Sequence, residues 1–445
     1  MKRSHVSSHA LIAALIAMTP LACETEPPVA PRPRGAIRDA TGLVLATTGP
    51  GRRARREYPQ GPLAGHLVGF VGVDPRGLEG VEHYYDSVLS QGDDVELTLR
   101  ADVQTAAEQA IARALVASGG RWACAIVVAA ETGEVLALAQ APAFDPRAFR
   151  TDLRLDAAAA RNRCLLDMFE PGGAWMPVTL AAALDAGVAG PGEVVPTPEG
   201  RVRVRPVTVW DPDPSEQVPI TELLSRPSPV AAATLALRLG ADRLFQADVR
   251  FGVGRRLEFS RLWEAAGILR SGPRWRPSDV ASAGFGYTFA VTAVQLAAAY
   301  TTLARGGVSI PLRLTRSLDA PSGPASGEQR IVSAEAARVV TRALVVAAGT
   351  WPLMSGGTTV DVAAKTSLGQ KAESTGGYGD SWIATVAGYA PVGTTPPRVV
   401  VLVVIDGPTS DGAGLANEAF RAILTSALTS SGHITGGTTT GADPR

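Results

Sequence analysis

The chain contains very little lysine and histidine. Only Lys2, Lys365 and Lys371 are lysines, among 42 basic residues in a chain of 445. The histidines stand at positions 5, 9, 66, 83 and 433, so none lies between residues 121 and 432. A Ser-His-Asp triad is therefore excluded from that long stretch. Coding bias explains much of the lysine scarcity, but it still draws attention to Lys365 as a residue with a specific role.

Net charge, aromatic residues and cysteine are also limited. The formal net charge is +0, which argues against a nucleic-acid partner. Aromatic residues make up 5% of the chain and hydrophobic residues 46%, so an aliphatic, alanine-rich core is expected. Cys124 and Cys164 have no partnering histidines, and neither a metal site nor a cofactor is predicted. An exported chain allows a disulfide between them, and a buried free thiol at Cys124 is the alternative.

The first 34 residues predict an export signal and a tether. A basic start precedes an apolar run over residues 10–22, which has the length of a signal peptide and is too short to span a bilayer. The run ends in Leu21-Ala22-Cys23, which is similar to a bacterial lipobox. We therefore assign residues 1–22 to a lipoprotein signal peptide, Cys23 to lipidation and residues 23–34 to a Pro-rich tether. A plain cleaved signal peptide is the alternative.

Hydrophobic patterns in the rest of the chain predict an α+β fold. Strands are expected in hairpins at 35–46 and 125–140 and at 96–100, 381–391 and 398–406, and helices at 101–117, 177–186, 241–254, 290–307 and 413–430. Loops and short strands are expected at 57–86, and a Pro-rich loop before about residue 219. Because strands occur early and late with helices between them, the order predicts an antiparallel sheet built from both ends of the domain, with helices covering its faces.

Eight segments in this order resemble the class B penicillin-binding proteins, the monofunctional transpeptidases of the cell wall. They include RGAIRDATGLVLA, LTLRADVQTAAEQAI, AAETGEVLALAQAPAFDP, RNRCLLDMFEPGG, GFGYTFAVTAVQLAAAYTTLARGG and AKTSLGQ. The resemblance implies a penicillin-binding transpeptidase (SxxK acyltransferase-like) domain at 96–432. A short β-rich pedestal at 35–95 precedes it, and a disordered tail at 433–445 follows. A lipobox replaces the N-terminal transmembrane helix that is usual in this family.

The first motif of the family departs from its usual form. A serine nucleophile and a lysine three residues later share one face of a helix, and the lysine accepts the serine proton. The pattern EPGSxxK aligns with residues 170–176, which places Gly173 and Met176 at the two positions. Serine three residues before Lys365 or Lys371 would have to be residue 362 or 368, and neither is a serine. No SxxK motif therefore exists beyond the signal segment.

The second motif, SxN, aligns with Pro227 and Pro229, and Ser228 between them is expected to be a loop serine. The third motif, KTG, aligns with Lys365, Thr366 and Ser367 on a predicted edge strand. The resemblance implies that Lys365 and Thr366 bind a carboxylate. It also implies that backbone N–H groups of Gly173 and about Leu368 form an oxyanion hole.

These positions lead to three functional hypotheses. The first is an exported, lipid-anchored protein of peptidoglycan assembly facing the periplasm. As a transpeptidase homologue without catalytic activity, it would act as a scaffold or regulator, with the pedestal binding a membrane glycosyltransferase. In this hypothesis the chain is not an enzyme, and Gly173, Met176, Pro227 and Pro229 are degenerate catalytic positions. The second is a non-covalent sensor of wall stem peptides or β-lactams that uses Lys365, Thr366 and Ser367. The third is an active D,D-transpeptidase that uses an unrecognised route.

Overall fold

The computed structural model describes residues 32–50, 55–150, 157–257, 259, 263–271, 274–315, 318, 327–349, 353–355, 358–372, 376–393 and 398–430. The predicted signal peptide, Cys23 and the predicted tail at 433–445 lie outside these residues. The described residues from Pro33 onwards belong to one unit with its own internal contacts. Among the described helices, none combines the length and the apolar composition needed to cross a bilayer.

The strands alternate with the helices along the chain. The strands are β1 (Ile37–Arg38), β2 (Val44–Thr48), β3 (Arg56–Glu57), β4 (Val95–Glu96), β5 (Trp122–Ala129), β6 (Val135–Ala141), β7 (Met168–Phe169), β8 (Val194–Pro196), β9 (Arg201–Val204), β10 (Val207–Trp210), β11 (Gln217–Pro219), β12 (Val291–Thr292), β13 (Val308–Ser309), β14 (Gln329–Arg330), β15 (Leu353–Ser355), β16 (Thr358–Val360), β17 (Ala363–Ala372), β18 (Tyr378–Ala390) and β19 (Val399–Asp406). The helices are α1 (Gly65–Val68), α2 (Gly80–Tyr84), α3 (Asp86–Ser90), α4 (Ala101–Ser118), α5 (Ala157–Ala160), α6 (Arg163–Leu166), α7 (Met176–Asp185), α8 (Pro229–Leu239), α9 (Ala241–Arg250), α10 (Pro277–Ala283), α11 (Ala293–Ala304), α12 (Ala334–Ala348) and α13 (Gly412–Ser430).

A five-stranded antiparallel sheet forms the centre of the molecule. Its strand order is β17-β18-β19-β5-β6, so β17 lies at one edge. Side chains alternate between the two faces of β5: Ile126 and Val128 join one core cluster, and Ala125 and Val127 join the other. The early hairpin and the late strands thus meet in one sheet, as the sequence predicts.

Helices cover both faces of this sheet. Helices α4 and α13 pack on one face, where Ile111 and Phe420 belong to the same buried cluster. Helices α7, α8, α11 and α12 supply buried residues on the other face. Helix α11 begins at a capping box, in which the Thr292 N–H donates to Gln295 Oε1 at 2.8 Å and the Gln295 N–H donates to Thr292 Oγ1. The α+β fold class is therefore confirmed.

Residues 37–96 form a small four-stranded sheet, β3-β2-β1-β4, together with three short helices. The prediction of only loops and short strands at 57–86 is wrong, because α1, α2 and α3 occupy parts of it. The predicted strand at 96–100 is much shorter in the structure, where β4 ends at Glu96. Thr98 instead donates its N–H to the Leu314 carbonyl at 2.6 Å, outside any regular ladder. The expected Pro-rich loop contains two hairpins, β8/β11 and β9/β10.

An ion cluster of Arg34, Arg56, Glu82 and Asp86 joins the small sheet to α2 and α3. Glu82 is fully buried and accepts from Arg34 Nε at 2.8 Å and from Arg56 Nε at 2.6 Å. Arg34 also donates to Asp86 Oδ1 at 2.6 Å. Two guanidinium groups therefore neutralise one buried carboxylate and one half-buried carboxylate. The cluster connects the start of the described chain to β3, α2 and α3.

A disulfide joins Cys124 of β5 to Cys164 of α6, with the Cα atoms 5.8 Å apart. The sequence left this pair open between a bond and a buried thiol. The bond attaches the segment that leads to Gly173 to β5, an interior strand of the sheet.

Candidate active site

The candidate site is a cavity of about 510 Å³ between the edge strand β17 and the helical region around α7 and α8. All three aligned motifs contribute to its lining, through Gly173 and Met176, Pro227 and Pro229, and residues 365–368. The two prolines of the second motif therefore do not close the cleft. The structure brings together all the site positions that the sequence singled out within the domain.

A tight turn presents the first motif to the cavity. Residues Gly172–Trp175 form a 3₁₀ turn, and Gly172 adopts a φ of +52°, which glycine accommodates without strain. The turn is fixed by Gly172 N–H donating to the Gly286 carbonyl at 2.9 Å and by Tyr300 Oη donating to the Ala174 carbonyl at 2.9 Å. The backbone at Gly173 is therefore held in place without any contribution from a side chain there.

Gly173 lies directly against Ser367 of β17. A Cβ atom built on Gly173 would lie 3.2 Å from Ser367 Oγ and 3.7 Å from Met176 Sδ. The Ser367 hydroxyl is thus at the point where a residue-173 side chain would project. Spacing along the chain could not reveal this contact, because it joins residues 194 positions apart through the tertiary fold.

Lys365 shares a face of β17 with Ser367, because the two residues are two apart in a strand. Its side chain is buried, with only 5% of the residue exposed, and its Nζ donates to the Thr366 carbonyl. Burial lowers the pKa of the Lys365 ammonium to about 8, since desolvation disfavours the charged form. No acidic side chain occurs among the described residues that line the cavity. Lys365 is therefore a buried amine that lacks a carboxylate partner there.

Thr366 and Leu368 point toward the opposite face of the strand. Thr366 Oγ1 donates to Asn417 Oδ1 of α13 at 2.8 Å. On the edge of β17 that faces away from β18, the Gln370 N–H donates to Tyr287 Oη at 3.1 Å. N–H groups two residues apart in a strand point the same way, so the Leu368 N–H also faces this open edge. It has the direction that the predicted oxyanion hole requires.

Ser228 is fixed in a structural role. As predicted, Ser228 lies in the loop before α8, where it is the buried N-cap of that helix. Its Oγ accepts from the Ala231 N–H at 2.9 Å and donates to Asp211 Oδ2 at 2.6 Å. A hydroxyl committed to both a carboxylate and a helix end is not available for attack.

Three aromatic side chains at the rim were missed by the sequence interpretation. Trp210 of the β9/β10 hairpin is 58% exposed and lines the cavity. Tyr287 and Tyr378 meet edge to face with their ring centroids 5.2 Å apart. Tyr378 Oη also donates to Glu170 Oε1 at 3.1 Å, which connects the rim to the first motif. Their sequence positions lie outside the three motifs, so no spacing rule indicated them.

Trp175, in the first-motif turn, is held by a buried acid. Its Nε1 donates to Asp248 Oδ1 at 2.9 Å, while Asp248 Oδ2 has no hydrogen-bond partner among the described residues. Burial raises the pKa of the Asp248 carboxyl to about 8, and the Trp175 bond opposes this only in part. Between about pH 4 and pH 8 the folded state binds a proton that the unfolded state has lost. Stability should therefore fall as pH rises through this window.

Replacing Asp248 with asparagine is expected to remove this pH dependence. The amide keeps the acceptor for Trp175 and carries no charge, so Asp248→Asn should be more stable than the wild type by about 1–3 kcal/mol at pH 8. Urea unfolding at pH 5 and pH 8 measures the difference. Asp242→Asn, on the exposed side of α9, is the control and should show no such pH-dependent gain. A wild-type stability that is the same at both pH values would contradict the expectation.

The matched family model is described as the penicillin binding protein transpeptidase domain, and it covers residues 123–425. The chain therefore belongs to the penicillin-binding protein transpeptidase family, with the class B members. The resemblance inferred from the sequence segments is confirmed.

Relatives with assigned names fall in the same group. The chain is 33% identical over 396 residues to a probable peptidoglycan D,D-transpeptidase PenA of Neisseria gonorrhoeae, covering 81% of this chain and 65% of that protein. It is 29% identical over 401 residues to peptidoglycan D,D-transpeptidase FtsI of Escherichia coli K12, covering 83% and 66%. It thus spans just under two thirds of the length of each of these two relatives.

Solved structures agree with this placement. Penicillin-binding protein 3 of Mycobacterium tuberculosis, in complex with aztreonam, superposes with a TM-score of 0.81 at 29% identity. The alignment covers 91% of this chain and 98% of that one. Aztreonam, the ligand in that structure, is a β-lactam.

The prediction that the chain is not an enzyme is contradicted by these comparisons. The named relatives are peptidoglycan D,D-transpeptidases, which are enzymes. The prediction took Gly173 and Met176 as decisive because the family nucleophile and base are three residues apart on one helix. A search for that linear motif does not detect a hydroxyl and an amine that approach the cleft from β17, as Ser367 and Lys365 do.

Proposed function

We propose that the chain is an acyl-transfer member of its family in peptidoglycan synthesis. Its cleft would bind the acyl-D-Ala-D-Ala end of a stem peptide, or a β-lactam in its place. The observation that carries this proposal is the cavity that Lys365, Thr366 and Ser367 line together with Gly173, in which Ser367 lies directly against the Gly173 turn. The names of the relatives and the β-lactam complex of the structural neighbour support the substrate class.

The chemistry of the cleft suits such a ligand. Lys365 is the only cationic side chain among the described lining residues, so it attracts the terminal carboxylate of a peptide. Backbone N–H groups at Gly173 and Leu368 would donate hydrogen bonds to the carbonyl oxygen of the ligand. Trp210, Tyr287 and Tyr378 supply apolar surface at the rim for the rest of the ligand. A charged anchor, a carbonyl site and an apolar wall together match an acylated dipeptide.

The location of the protein is part of this proposal. Export, lipid attachment at Cys23 and a periplasm-facing position at the membrane are supported by residues 1–34 of the sequence alone. Binding of a membrane glycosyltransferase by the pedestal, residues 35–95, is supported by the family resemblance of that region alone.

Loss of the Lys365 side chain is expected to weaken ligand binding by about 10–100-fold at pH 7, because one charge-assisted hydrogen bond contributes about 1.5–3 kcal/mol. Isothermal calorimetry with an acyl-D-Ala-D-Ala peptide would compare wild type with Lys365→Ala. Lys371→Ala is the matched control on the same strand and should leave ligand binding unchanged. Lys371 pairs with Asp406, and without Lys371 this carboxylate still has Arg121 as its partner at 2.9 Å. No measurable heat with the wild type would overturn the proposed function.

A further inference from the structure

Relative to the family pattern, serine and glycine have exchanged places across the cleft, at Ser367 and Gly173. The family pattern has serine at the position of Gly173 and glycine at the position of Ser367. In this chain the glycine is on the helical side and the hydroxyl is on the strand. Because a Cβ at residue 173 would lie 3.2 Å from Ser367 Oγ, the two positions share one small space. The hydroxyl has changed its attachment point and remains in the same part of the cleft.

We propose that Ser367 is the nucleophile of this cleft and Lys365 its general base, in place of a serine and lysine on one helix. The inference rests on the proposed function, because it names the reacting group for the ligand proposed there.

The placement of both groups on β17 supports the pair. Residues two apart in a strand project from the same face, about 7 Å apart along the chain. Lys365 Nζ donates to the Thr366 carbonyl in the structure, and rotation of the long lysine side chain would bring Nζ within hydrogen-bond reach of Ser367 Oγ on the same face. Ser367 is 7% exposed and lines the cavity, so a ligand in the cleft contacts it. Met176, where the family has its lysine, offers a thioether that holds no proton.

The surroundings favour a neutral amine at Lys365. Its burial lowers the pKa of the ammonium to about 8, so the charged form that attracts a ligand carboxylate predominates at pH 7 and the neutral form that accepts a proton predominates at pH 9. The titratable groups that face the cleft beside it are Tyr287 and Tyr378, with Glu170 behind Tyr378. Burial raises the pKa of both phenols, and both stay neutral over the working range. Glu170 hydrogen-bonds Tyr378 and the Thr288 N–H, and no such bond links it to Lys365.

The acylation step follows directly. Neutral Lys365 Nζ takes the proton of Ser367 Oγ as the oxygen attacks the carbonyl carbon of the D-Ala-D-Ala bond or of a β-lactam. The carbonyl oxygen becomes an oxyanion that accepts from backbone N–H groups at the cleft. Collapse of this intermediate breaks the C–N bond, and the Lys365 ammonium returns its proton to the leaving nitrogen. The product is a serine ester on Ser367, which an acceptor amine or water then attacks.

The test is intact-protein mass spectrometry of the full exported chain after long incubation with benzylpenicillin at pH 9. The variants are Ser367→Ala, Ser367→Cys and, as a control for another lining serine, Ser282→Ala. Trypsin releases residues 366–371 as one peptide, so fragmentation can place an adduct on Ser367. Calorimetry with the acyl-D-Ala-D-Ala peptide is run on each variant in parallel and reports folding and binding independently of chemistry.

The expected result is one adduct per chain on Ser367. It should be retained in Ser367→Cys and Ser282→Ala and lost in Ser367→Ala, for which the parallel calorimetry reports whether the variant is folded. An adduct on another residue, or one that persists in Ser367→Ala, would overturn the inference. Peptide binding without any adduct would also overturn it and would leave the proposed binding function standing. Absence of both binding and adduct would overturn the two proposals together.

Discussion

Replacing Glu82 with glutamine is expected to lower the free energy of unfolding by about 3–5 kcal/mol. Glu82 is fully buried and accepts from Arg34 at 2.8 Å and from Arg56 at 2.6 Å. The amide has nearly the same shape and cannot balance two guanidinium charges, so the ion cluster would keep an uncompensated positive charge away from water. Urea unfolding at neutral pH measures this loss.

Two further variants identify the cause of this loss. Glu57→Gln removes an exposed carboxylate next to Arg56 and should change stability by no more than about 0.5 kcal/mol. Replacing the buried charges together, as Arg34→Met, Arg56→Leu and Glu82→Met, should recover most of the loss. The one charge of the cluster that remains is Asp86, which is half-exposed and still accepts from the Gly77 N–H at 2.9 Å. A Glu82→Gln chain within about 1 kcal/mol of wild type would show that water reaches the cluster.

The variant Gly173→Ser, Met176→Lys, Ser367→Gly is expected to react with benzylpenicillin at least about 100-fold faster than the unaltered chain. It returns the hydroxyl and the amine to one helical face and frees the space that Ser367 Oγ occupies. Stopped-flow or quenched labelling gives the rate, and peptide mapping should place the ester at position 173.

The contribution of Ser367→Gly can be isolated. Gly173→Ser with Met176→Lys alone should react more slowly than the triple variant, since the new Cβ would lie 3.2 Å from Ser367 Oγ, inside ordinary van der Waals contact. Gly173→Ala with the other two changes lacks both hydroxyls and should stay unlabelled. Equal rates with and without Ser367→Gly would show that the two positions do not compete for space.

The sequence predicts those parts of the fold in which hydrophobic residues recur with a strong helical or strand period. Helix α4 follows its apolar stripe, and the β5/β6 hairpin follows its alternation and its Gly133 turn. The three helices within 65–90 were missed, because glycine-rich sequence reads as loop and their stability comes from buried contacts such as those of Glu82. Tertiary contacts override weak local preference in such segments.

The candidate site also has a part that the sequence could predict and a part that only the tertiary fold shows. Linear motifs located Gly173, Met176, Pro227, Pro229 and Lys365, and all of them line one cavity. The contact between Ser367 and Gly173 was not predictable, because it depends on how closely an edge strand approaches a turn from a distant part of the chain. That contact changes the interpretation of the missing serine.

The disulfide between Cys124 and Cys164 holds the segment that leads to the cleft, so the structure of the cleft depends on whether the chain folds in an oxidising compartment. It closes a loop across 40 positions, a link that stabilises a folded chain by about 4 kcal/mol in the loop-entropy account. Disulfides persist in an oxidising compartment and are rare in a reducing cytosol. Recombinant material from the cytosol would lack the bond between β5 and the segment before Gly173. Preparations for binding or labelling should therefore be secreted or oxidatively refolded, with thiol titration as a check on each batch.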